Sequence, residues 1–362
     1  MKTYFSRLHY CKNQKLKDKL ALILLMPATF LYFLAAYLRN LFYDMDLLKS
    51  EKLPAYVISI GNLTTGGTGK TPIASAIANY LISKGKKTAI ISRGYGGKLS
   101  CSDTNIISDG EKTFYTAELA GDEPFWIAEN SAGTTVITGC NRVKSGKLAI
   151  DKFNSEVLLL DDGFQHRRVK RDLDILLVDS EKEFGNGFLL PAGALREPIG
   201  QIKRADKVVI VNKNSSANAE KLQKMFVEKY GKDACICEFT ACGIYDILTN
   251  QPVSEIKTAA VFTGIAQPES FFSLLEQKGI NLVVKKVFPD HYLYTSGDIE
   301  VILKEAQTAG VDAIIATEKD CVKIKPFLEK IQIPVCALKL KLNLDIEVIL
   351  DGCEENSSGA AE

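Results

Sequence analysis

A glycine-rich segment followed by lysine and threonine carries a phosphate-binding pattern. Residues 56–72 read YVISIGNLTTGGTGKTP: an apolar run, a turn, then the start of a helix. Glycines let the backbone turn tightly enough to aim several N–H groups at phosphate oxygens, and the following helix N-terminus favours negative charge. In such loops the lysine, here Lys70, reaches the β- and γ-phosphates, and the hydroxyl of Thr71 binds Mg²⁺. The residues predicted to hold the nucleotide phosphates are Thr65, Gly66, Gly67, Thr68, Gly69, Lys70 and Thr71.

The loop departs from the usual pattern in one respect, because position 64 is threonine where a glycine is expected five residues before Gly69. What remains, G-G-T-G-K-T from Gly66 to Thr71, is closer to the variant loop of the partitioning-ATPase and dethiobiotin-synthase branch. The strand–loop–helix context favours nucleotide binding, and the alternative is a purely structural glycine-rich turn.

A second chemical feature is the pair of carboxylates that ends the apolar run in VLLLDDGFQHR (Val157–Arg167). The carboxyl ends of parallel strands are where α/β sheets bind ligands. We predict that Asp161 and Asp162 bind Mg²⁺, with Asp161 favoured as the closer ligand, although the sequence does not separate the two. The alternative is a helix cap. Gln165 and His166 are weaker candidates for contact with a substrate.

Three further segments place polar side chains after apolar runs. Arg93, in SRGYGG, is a candidate clamp for a phosphate of nucleotide or substrate, or part of a plain turn. Arg196, in LPAGALREP, would neutralise charge on a transferring phosphoryl group, and Glu197 is a weaker substrate candidate; a structural ion pair is the alternative. Asn212 and Lys213 are predicted to contact the nucleotide base.

These segments require a sheet that brings strand ends together. The predicted strands are Tyr56–Gly61, Thr88–Ser92, Thr134–Thr138, Val157–Leu160, Leu173–Val178 and Val208–Val211. Most are continuous apolar runs, which indicates burial on both faces of a parallel sheet and an α/β, doubly wound fold. A second, smaller α/β domain is expected after a pair of connecting strands. The predicted division is 1–45 (basic tail and membrane-anchoring helix), 46–234 (P-loop domain), 235–250 (connecting strands), 251–350 (second α/β domain) and 351–362 (flexible tail).

The N-terminus is basic and then apolar. Residues 1–19 hold six basic residues against one acidic residue, and residues 20–38 carry no charge. This apolar length is at the lower edge of what crosses a hydrocarbon core of about 30 Å. A spanning helix would send the remaining chain away from cytosolic ATP, and Pro27 is expected to kink or break the helix. We therefore predict a helix inserted in one leaflet of an anionic membrane surface, with a span or a buried core helix as alternatives.

Composition excludes several classes of protein. The 362 residues carry 45 Lys plus Arg and 44 Asp plus Glu, and 46% are hydrophobic, as in ordinary globular proteins. A net charge of +1 argues against a nucleic-acid partner. Three histidines and irregularly spaced cysteines exclude a His-rich metal site and the usual zinc knuckle.

Taken together, the motifs resemble one family, the tetraacyldisaccharide 4'-kinases of lipid A biosynthesis. The matching stretches are GNLTTGGTGKTP, SRGYGG, GDEP (121–124), DDGFQHR, LPAGALREP, FTGIAQPESF, FPDHYLY (288–294) and TEKDCVK (317–323). The resemblance implies a two-domain enzyme at the cytoplasmic face of the bacterial inner membrane. It would use ATP and Mg²⁺ to phosphorylate the 4'-hydroxyl of an acylated glucosamine disaccharide 1-phosphate. We infer no obligate protein partner.

The resemblance also assigns two catalytic residues. The aspartate of GDEP, Asp122, would act as base on the sugar hydroxyl, and the histidine of FPDH, His291, would pair with it. An aspartate that accepts a hydroxyl proton agrees with the chemistry of phosphoryl transfer. The alternatives are a helix cap for Asp122 and a packed surface residue for His291.

Two other functions stay open at this point. A membrane-docked P-loop ATPase of the partitioning or metal-insertion type would hydrolyse ATP without a small acceptor and would have no use for Asp122 and His291. A membrane-associated scaffold with a vestigial loop is disfavoured because Lys70, Thr71 and Asp161 are intact.

Overall fold

The structure is a computed structural model that describes residues 7–10, 15–100, 102–213, 216–265, 268–290, 292–328 and 333–351. Its strands are β1 (Tyr56–Asn62), β2 (Thr88–Ser92), β3 (Asn105–Asp109), β4 (Thr135–Thr138), β5 (Val157–Asp161), β6 (Leu173–Asp179), β7 (Lys207–Asn212), β8 (Asp233–Asp246), β9 (Thr258–Thr263), β10 (Asn281–Val287), β11 (Ala313–Thr317) and β12 (Val335–Asn343). Its helices are α1 (Leu16–Asp44), α2 (Lys70–Ser83), α3 (Ala117–Ala120), α4 (Asp122–Asn130), α5 (Arg142–Phe153), α6 (Asn218–Tyr230), α7 (Pro268–Gln277), α8 (Ser296–Ala309), α9 (Glu318–Ile324) and α10 (Ile346–Leu350).

The described strands form one sheet in the order β10-β9-β11-β12-β8-β7-β6-β1-β5-β2-β4-β3. All neighbouring pairs are parallel except β3 with β4 and β8 with β12. Both faces of the sheet are covered. Leu159 of β5 packs with α2, whereas Leu158 and Leu160 on the opposite face pack with α5. This two-sided burial confirms the predicted mainly parallel α/β fold.

The segment predicted as a pair of connecting strands is instead a single strand, β8, of 14 residues. Its first part pairs in parallel with β7, from Asp233 to Glu238, and its second part pairs antiparallel with β12, from Glu238 to Asp246. One long strand therefore joins the two halves of the sheet. The stretch CICEFTACGIYD (235–246) has no strong turn signal, so the chain continues through it as one strand.

Helix α1 contains the apolar N-terminal segment and continues through Pro27, so the break that was one of the two expected outcomes does not occur. The ring of Pro27 is on the exposed side of the helix, and the opposite side is held by packing of Leu22, Thr29 and Asn40 against the rest of the protein. Among the described residues this is the one helix long and apolar enough to cross a membrane. Its outward side is strongly apolar, with exposed side chains at Leu16, Leu20, Ile23, Leu24, Phe30, Leu31 and Tyr37.

Candidate active site

The phosphate loop lies between β1 and α2, as predicted, and its conformation depends on Gly69. This residue has φ +88°, a conformation that side chains disfavour, and an added Cβ would lie 3.0 Å from the ring of Phe239 on β8. The backbone conformation therefore favours glycine at this position, and the close Phe239 ring leaves little room for a side chain.

Asn62, the last residue of β1, forms hydrogen bonds to the phosphate loop from beneath it. Its amide Nδ2 donates to the hydroxyl of Thr68, and its Oδ1 accepts from Nζ of Lys70 at 3.3 Å. The side chain is fully buried. The loop is therefore held in shape by a polar side chain at its base as well as by its glycines.

The two acidic residues that end β5 have different surroundings. Asp162 accepts from Nη1 of Arg196 at 2.9 Å on each carboxylate oxygen, and Nζ of Lys70 lies 3.5 Å away. Burial alone would raise its pKa, but these two cations lower the pKa of Asp162 to about 2. Asp162 is thus ionised and already balanced by positive charge.

Asp161 is almost completely buried, and its Oδ1 has no hydrogen-bond partner among the described residues. Burial, together with the charges of Glu123 and Asp162, raises the pKa of Asp161 to about 7. A buried carboxylate oxygen without a donor is costly unless a cation approaches it. With the hydroxyl of Thr71 on the same cleft wall, these residues fit a hard, oxygen-preferring ion such as Mg²⁺.

A cleft of about 710 Å³ lies over the loop and is lined from both halves of the sheet. The predicted residues on its wall are Thr65, Gly66, Gly67, Thr68, Gly69, Lys70, Thr71, Arg93, Asp122, Asp161, Asp162, Arg196 and Lys213. The opposite wall includes Phe271 of α7 and Lys319 and Lys323 of α9. Residues far apart in sequence are therefore assembled around one cavity, which is large enough for a nucleotide and part of an acceptor.

Asp122 begins α4 at the cleft and is paired across it. Its Oδ2 lies 2.6 Å from Nζ of Lys323, and the next residue, Glu123, lies 2.8 Å from Nζ of Lys319. Burial alone would lower the pKa of Lys319, but the pairing with Glu123 raises it. His291, predicted to pair with Asp122, lies outside the described residues.

Four of the predicted residues do not line the cleft. Gln165 connects parts of the site: its Nε2 donates to the carbonyl of Asn62 at 2.9 Å, and its Oε1 accepts from Arg196 at 3.2 Å. Glu197 is buried and faces α1, with Arg204 and Asn40 as partners.

The remaining two are His166 and Asn212. Burial and neighbouring arginines lower the pKa of His166 to about 4, so the ring is neutral. Asn212 is buried, and its Oδ1 accepts from the Ser180 hydroxyl at 3.0 Å and from the Ser216 N–H at 2.8 Å. Its neighbour Lys213 lies at the cleft. Nζ of Lys213 donates to the carbonyl of Gly67 and lies 3.4 Å from Oδ2 of Asp179.

Helix α1 contacts the same loop that carries Arg196. The hydroxyl of Tyr32 donates to the carbonyl of Arg196 at 3.0 Å, and Nδ2 of Asn40 donates to Glu197 at 3.1 Å. Arg39 donates to the carbonyl of Gln165 at 2.6 Å. The inner side of the apolar helix is thus part of the wall behind the site, and Tyr32 lines the cleft itself.

Sequence reasoning missed Asn62, Tyr32, Glu123, Lys319 and Lys323 as site residues. A signal existed for the last two: they lie four residues apart in TEKDCVK, the spacing that places two side chains on one face of a helix. No pattern in the sequence alone indicates that Tyr32, in an apolar run, faces the cleft.

The site combines a glycine-rich phosphate loop that ends in Lys-Thr, an acidic strand end and a two-sided cleft. These features define a P-loop nucleotide-binding α/β protein. Comparison with known proteins narrows this class. The family model described as "Tetraacyldisaccharide-1-P 4'-kinase" matches residues 21–352, and the chain belongs to this family. The resemblance inferred from the motifs is thereby confirmed.

Individual relatives are consistent with membership of this family. The chain is 39% identical to a tetraacyldisaccharide 4'-kinase of Geobacter metallireducens, over 90% of this chain and 95% of the relative. It is 40% identical to one of Desulfotalea psychrophila, over 90% and 95% respectively. The crystal structure of LpxK from Aquifex aeolicus in complex with ATP is similar with a TM-score of 0.73 and 32% identity, covering 93% of this chain and 99% of that one.

Proposed function

We propose that this protein transfers the γ-phosphoryl group of ATP to the 4'-hydroxyl of a tetraacylated glucosamine disaccharide 1-phosphate, giving the lipid A precursor lipid IVA. The observation that carries the proposal is that Lys70 of the phosphate loop and Asp122, a carboxylate suited to accept a hydroxyl proton, line one cleft. Family membership supports the identity of the acceptor.

The nucleotide phosphates would lie on Thr65–Thr71, where backbone N–H groups, the α2 N-terminus and Lys70 together neutralise them. Bound Mg²⁺ would supply charge neutralisation at the β- and γ-oxygens, and Asp161 and Thr71 are the residues that suit it, with Asp162 nearby. Lys213 is proposed to approach the nucleotide from the far side of the loop. Arg93 would contact a phosphate of the nucleotide or of the acceptor.

In the transfer itself, the acceptor oxygen forms a bond to the γ-phosphorus while the bond to the β-bridging oxygen of the departing ADP breaks. Asp122 would take the proton of the 4'-hydroxyl, with His291 as its partner. Arg196 would offset charge developing on the phosphoryl group. Gln165 holds Arg196 close to the loop, and we propose that it orients this residue for that role.

The apolar outer side of α1 is proposed to lie in the inner leaflet of the bacterial inner membrane at its cytoplasmic face. Exposed leucines and aromatic residues on this side would contact acyl chains, and the basic N-terminal tail would contact anionic headgroups. Because the opposite side of α1 carries Tyr32 to the cleft, a membrane-bound lipid would reach the site along this helix.

A phosphoryl-transfer assay tests the proposal. Protein is mixed with γ-labelled ATP, Mg²⁺ and tetraacyldisaccharide 1-phosphate in detergent, beside Asp122→Ala. We expect label in the lipid, with kcat about 10²-fold lower in the variant because the base is lost. Asp151→Ala, which removes an exposed carboxylate from α5, is the control and should match wild type.

Label released only as inorganic phosphate, at equal rates in wild type and Asp122→Ala, would overturn the kinase assignment. It would indicate a P-loop ATPase instead.

A further inference from the structure

Lys319 and Lys323, four residues apart on α9, reach across the cleft to the two acidic residues that begin α4. Nζ of Lys323 lies 2.6 Å from Asp122 and Nζ of Lys319 lies 2.8 Å from Glu123. Side chains with this spacing lie on one face of a helix. The two ion pairs therefore connect α9, which follows β11, with α4, which precedes β4, on opposite sides of the site.

The position of α9 is fixed by Asp320, which is almost completely buried. Its carboxylate accepts from the hydroxyls of Thr263 (2.9 Å), Tyr294 (2.9 Å) and Thr317 (2.6 Å) and from the N–H of Gly264 (3.1 Å). A carboxylate with several donors anchors the helix to the end of β9. The face of α9 that carries Lys323 is thus held rigidly toward the cleft.

Lys323 has two acceptors from different parts of the chain. Besides Asp122, its ammonium donates to the carbonyl of Tyr292 at 3.1 Å. The side chains of Lys323 and Asp122 are 6% and 9% exposed, so the pair is shielded from water. Tyr292 directly follows His291 in the sequence, so one ammonium connects the predicted base with the segment that carries its predicted partner.

Stability alone does not account for a lysine at this position. Removing a lysine head group and a carboxylate from water is costly, and replacing a buried ion pair with apolar residues of similar size is often neutral or stabilising. A fixed carboxylate is, however, what a base needs, because proton transfer depends on the orientation of its oxygens relative to the acceptor hydroxyl.

We propose that Lys323 is a positioning residue for phosphoryl transfer: it holds the Asp122 carboxylate in place by tying it to the backbone at Tyr292. The inference rests on the proposed function and adds a residue to it. Lys323 acts through Asp122 and does not exchange a proton with the acceptor.

Steady-state kinetics of Lys323→Met, which keeps length and removes charge, test the inference. We expect kcat to fall by about 10- to 100-fold, because the carboxylate is no longer oriented, while KM for ATP changes by less than about 3-fold. Lys323→Arg retains a cation and is expected to keep kcat within about 10-fold of wild type. A Lys323→Met enzyme with wild-type kcat would overturn the inference.

A double-mutant cycle with Asp122→Asn separates positioning from general destabilisation. If Lys323 acts only through Asp122, Lys323→Met should cost little further rate once Asp122 is already replaced. Additive losses in the double variant would contradict the inference. Should Lys323→Met not fold, Lys323→Gln carries the same test, since it is uncharged yet able to donate a hydrogen bond.

Lys286→Met is the matched control. It removes a lysine from an ion pair of similar length, 2.9 Å to Glu305, outside the cleft, and should leave kcat unchanged. The wild-type reaction shows whether a negative result concerns the proposed function or only the role of Lys323. Absence of label in the lipid with wild-type protein would overturn the proposed function. Label with wild type, and equal label with Lys323→Met, would overturn the role of Lys323 alone.

Discussion

Nη1 of Arg196 lies 2.9 Å from both carboxylate oxygens of Asp162, and this contact distinguishes two acids that are adjacent in sequence. Asp162 is balanced by Arg196 and Lys70, whereas Asp161 has a buried oxygen without a partner among the described residues. The geometry therefore supports Asp161 as the closer ligand of a divalent cation. Asp162 instead forms ion pairs with Lys70 and Arg196 and so holds these two side chains beside the phosphate loop.

The first prediction concerns the dependence on Mg²⁺. Asp161→Asn should raise the Mg²⁺ concentration that gives half-maximal activity by at least about 10-fold, because a carboxylate ligand is lost. Asp162→Asn should mainly lower kcat, because Arg196 and Lys70 lose their anchor. Mg²⁺ titrations at saturating ATP measure both effects, and a larger Mg²⁺ shift in Asp162→Asn would reverse the assignment.

The second prediction concerns stability and pH. The pKa of Asp161 is raised to about 7, above its value in the unfolded chain, so its favourable contribution is complete at low pH and is lost as pH rises through about 7. Asp161→Asn is neutral throughout and removes this loss. In protein free of nucleotide and metal, we expect the variant to melt a few degrees higher than wild type at pH 8, with a smaller difference at pH 5.

Calorimetry at the two pH values provides the measurement, with Asp151→Asn, at an exposed site on α5, as control. An equal gain at pH 5 and pH 8 would mean that titration of Asp161 is not the cause.

The third prediction concerns the membrane. Leu24 and Leu31 are 82% and 66% exposed on the outer side of α1. Replacing both with Gln should weaken binding to anionic vesicles by about 10-fold or more, since burying one leucine is worth about 1.5–3 kcal/mol. The melting temperature should not change, because neither side chain packs in the protein.

Vesicle sedimentation measures this effect. Leu293→Gln, at an exposed leucine of the second half of the sheet, is the control and should bind as wild type does. Unchanged sedimentation of the double variant would exclude α1 as the attachment site.

The fourth prediction concerns the inner side of the same helix. Asn40 is 1% exposed and donates to Glu197, which also accepts from Arg204. Asn40→Leu should lower the free energy of unfolding by about 1–3 kcal/mol, because a buried acceptor loses a donor. Urea titrations test this, with Asn79→Leu at an exposed position of α2 as control; equal stability of the two variants would contradict it.

Much of the fold could be predicted because its signals are local. Continuous apolar runs mark strands buried on both faces: Thr88–Ser92 was predicted with its observed bounds, and five other strands of the first half with ends within one residue. The phosphate loop and the acidic end of β5 were recognisable because glycine, lysine and aspartate occur there at short fixed spacings. Strand β3 was missed because its five residues, NIISD, form a short edge strand with a mixed pattern.

The candidate site was harder to predict, because its geometry depends on contacts between distant segments. The sequence Arg196-Glu197-Pro198 does not indicate that Glu197 faces α1 while its neighbour Arg196 faces Asp162. Lys323 and Asp122 are 201 positions apart in the sequence, so a rule based on short spacings within one element could not predict their pairing. Similarly, Asn212 follows a strand end like a ligand residue, yet its amide is occupied by Ser180 and Ser216.

Strand β8 has a mechanical consequence for the cleft. Its two parts are hydrogen-bonded to different halves of the sheet and overlap at Glu238, next to Phe239, whose ring closely approaches Gly69. Rotation of one half of the sheet against the other would twist this strand and shift the Phe239 ring relative to Gly69. The width of the cleft and the shape of the phosphate loop are therefore linked at this contact.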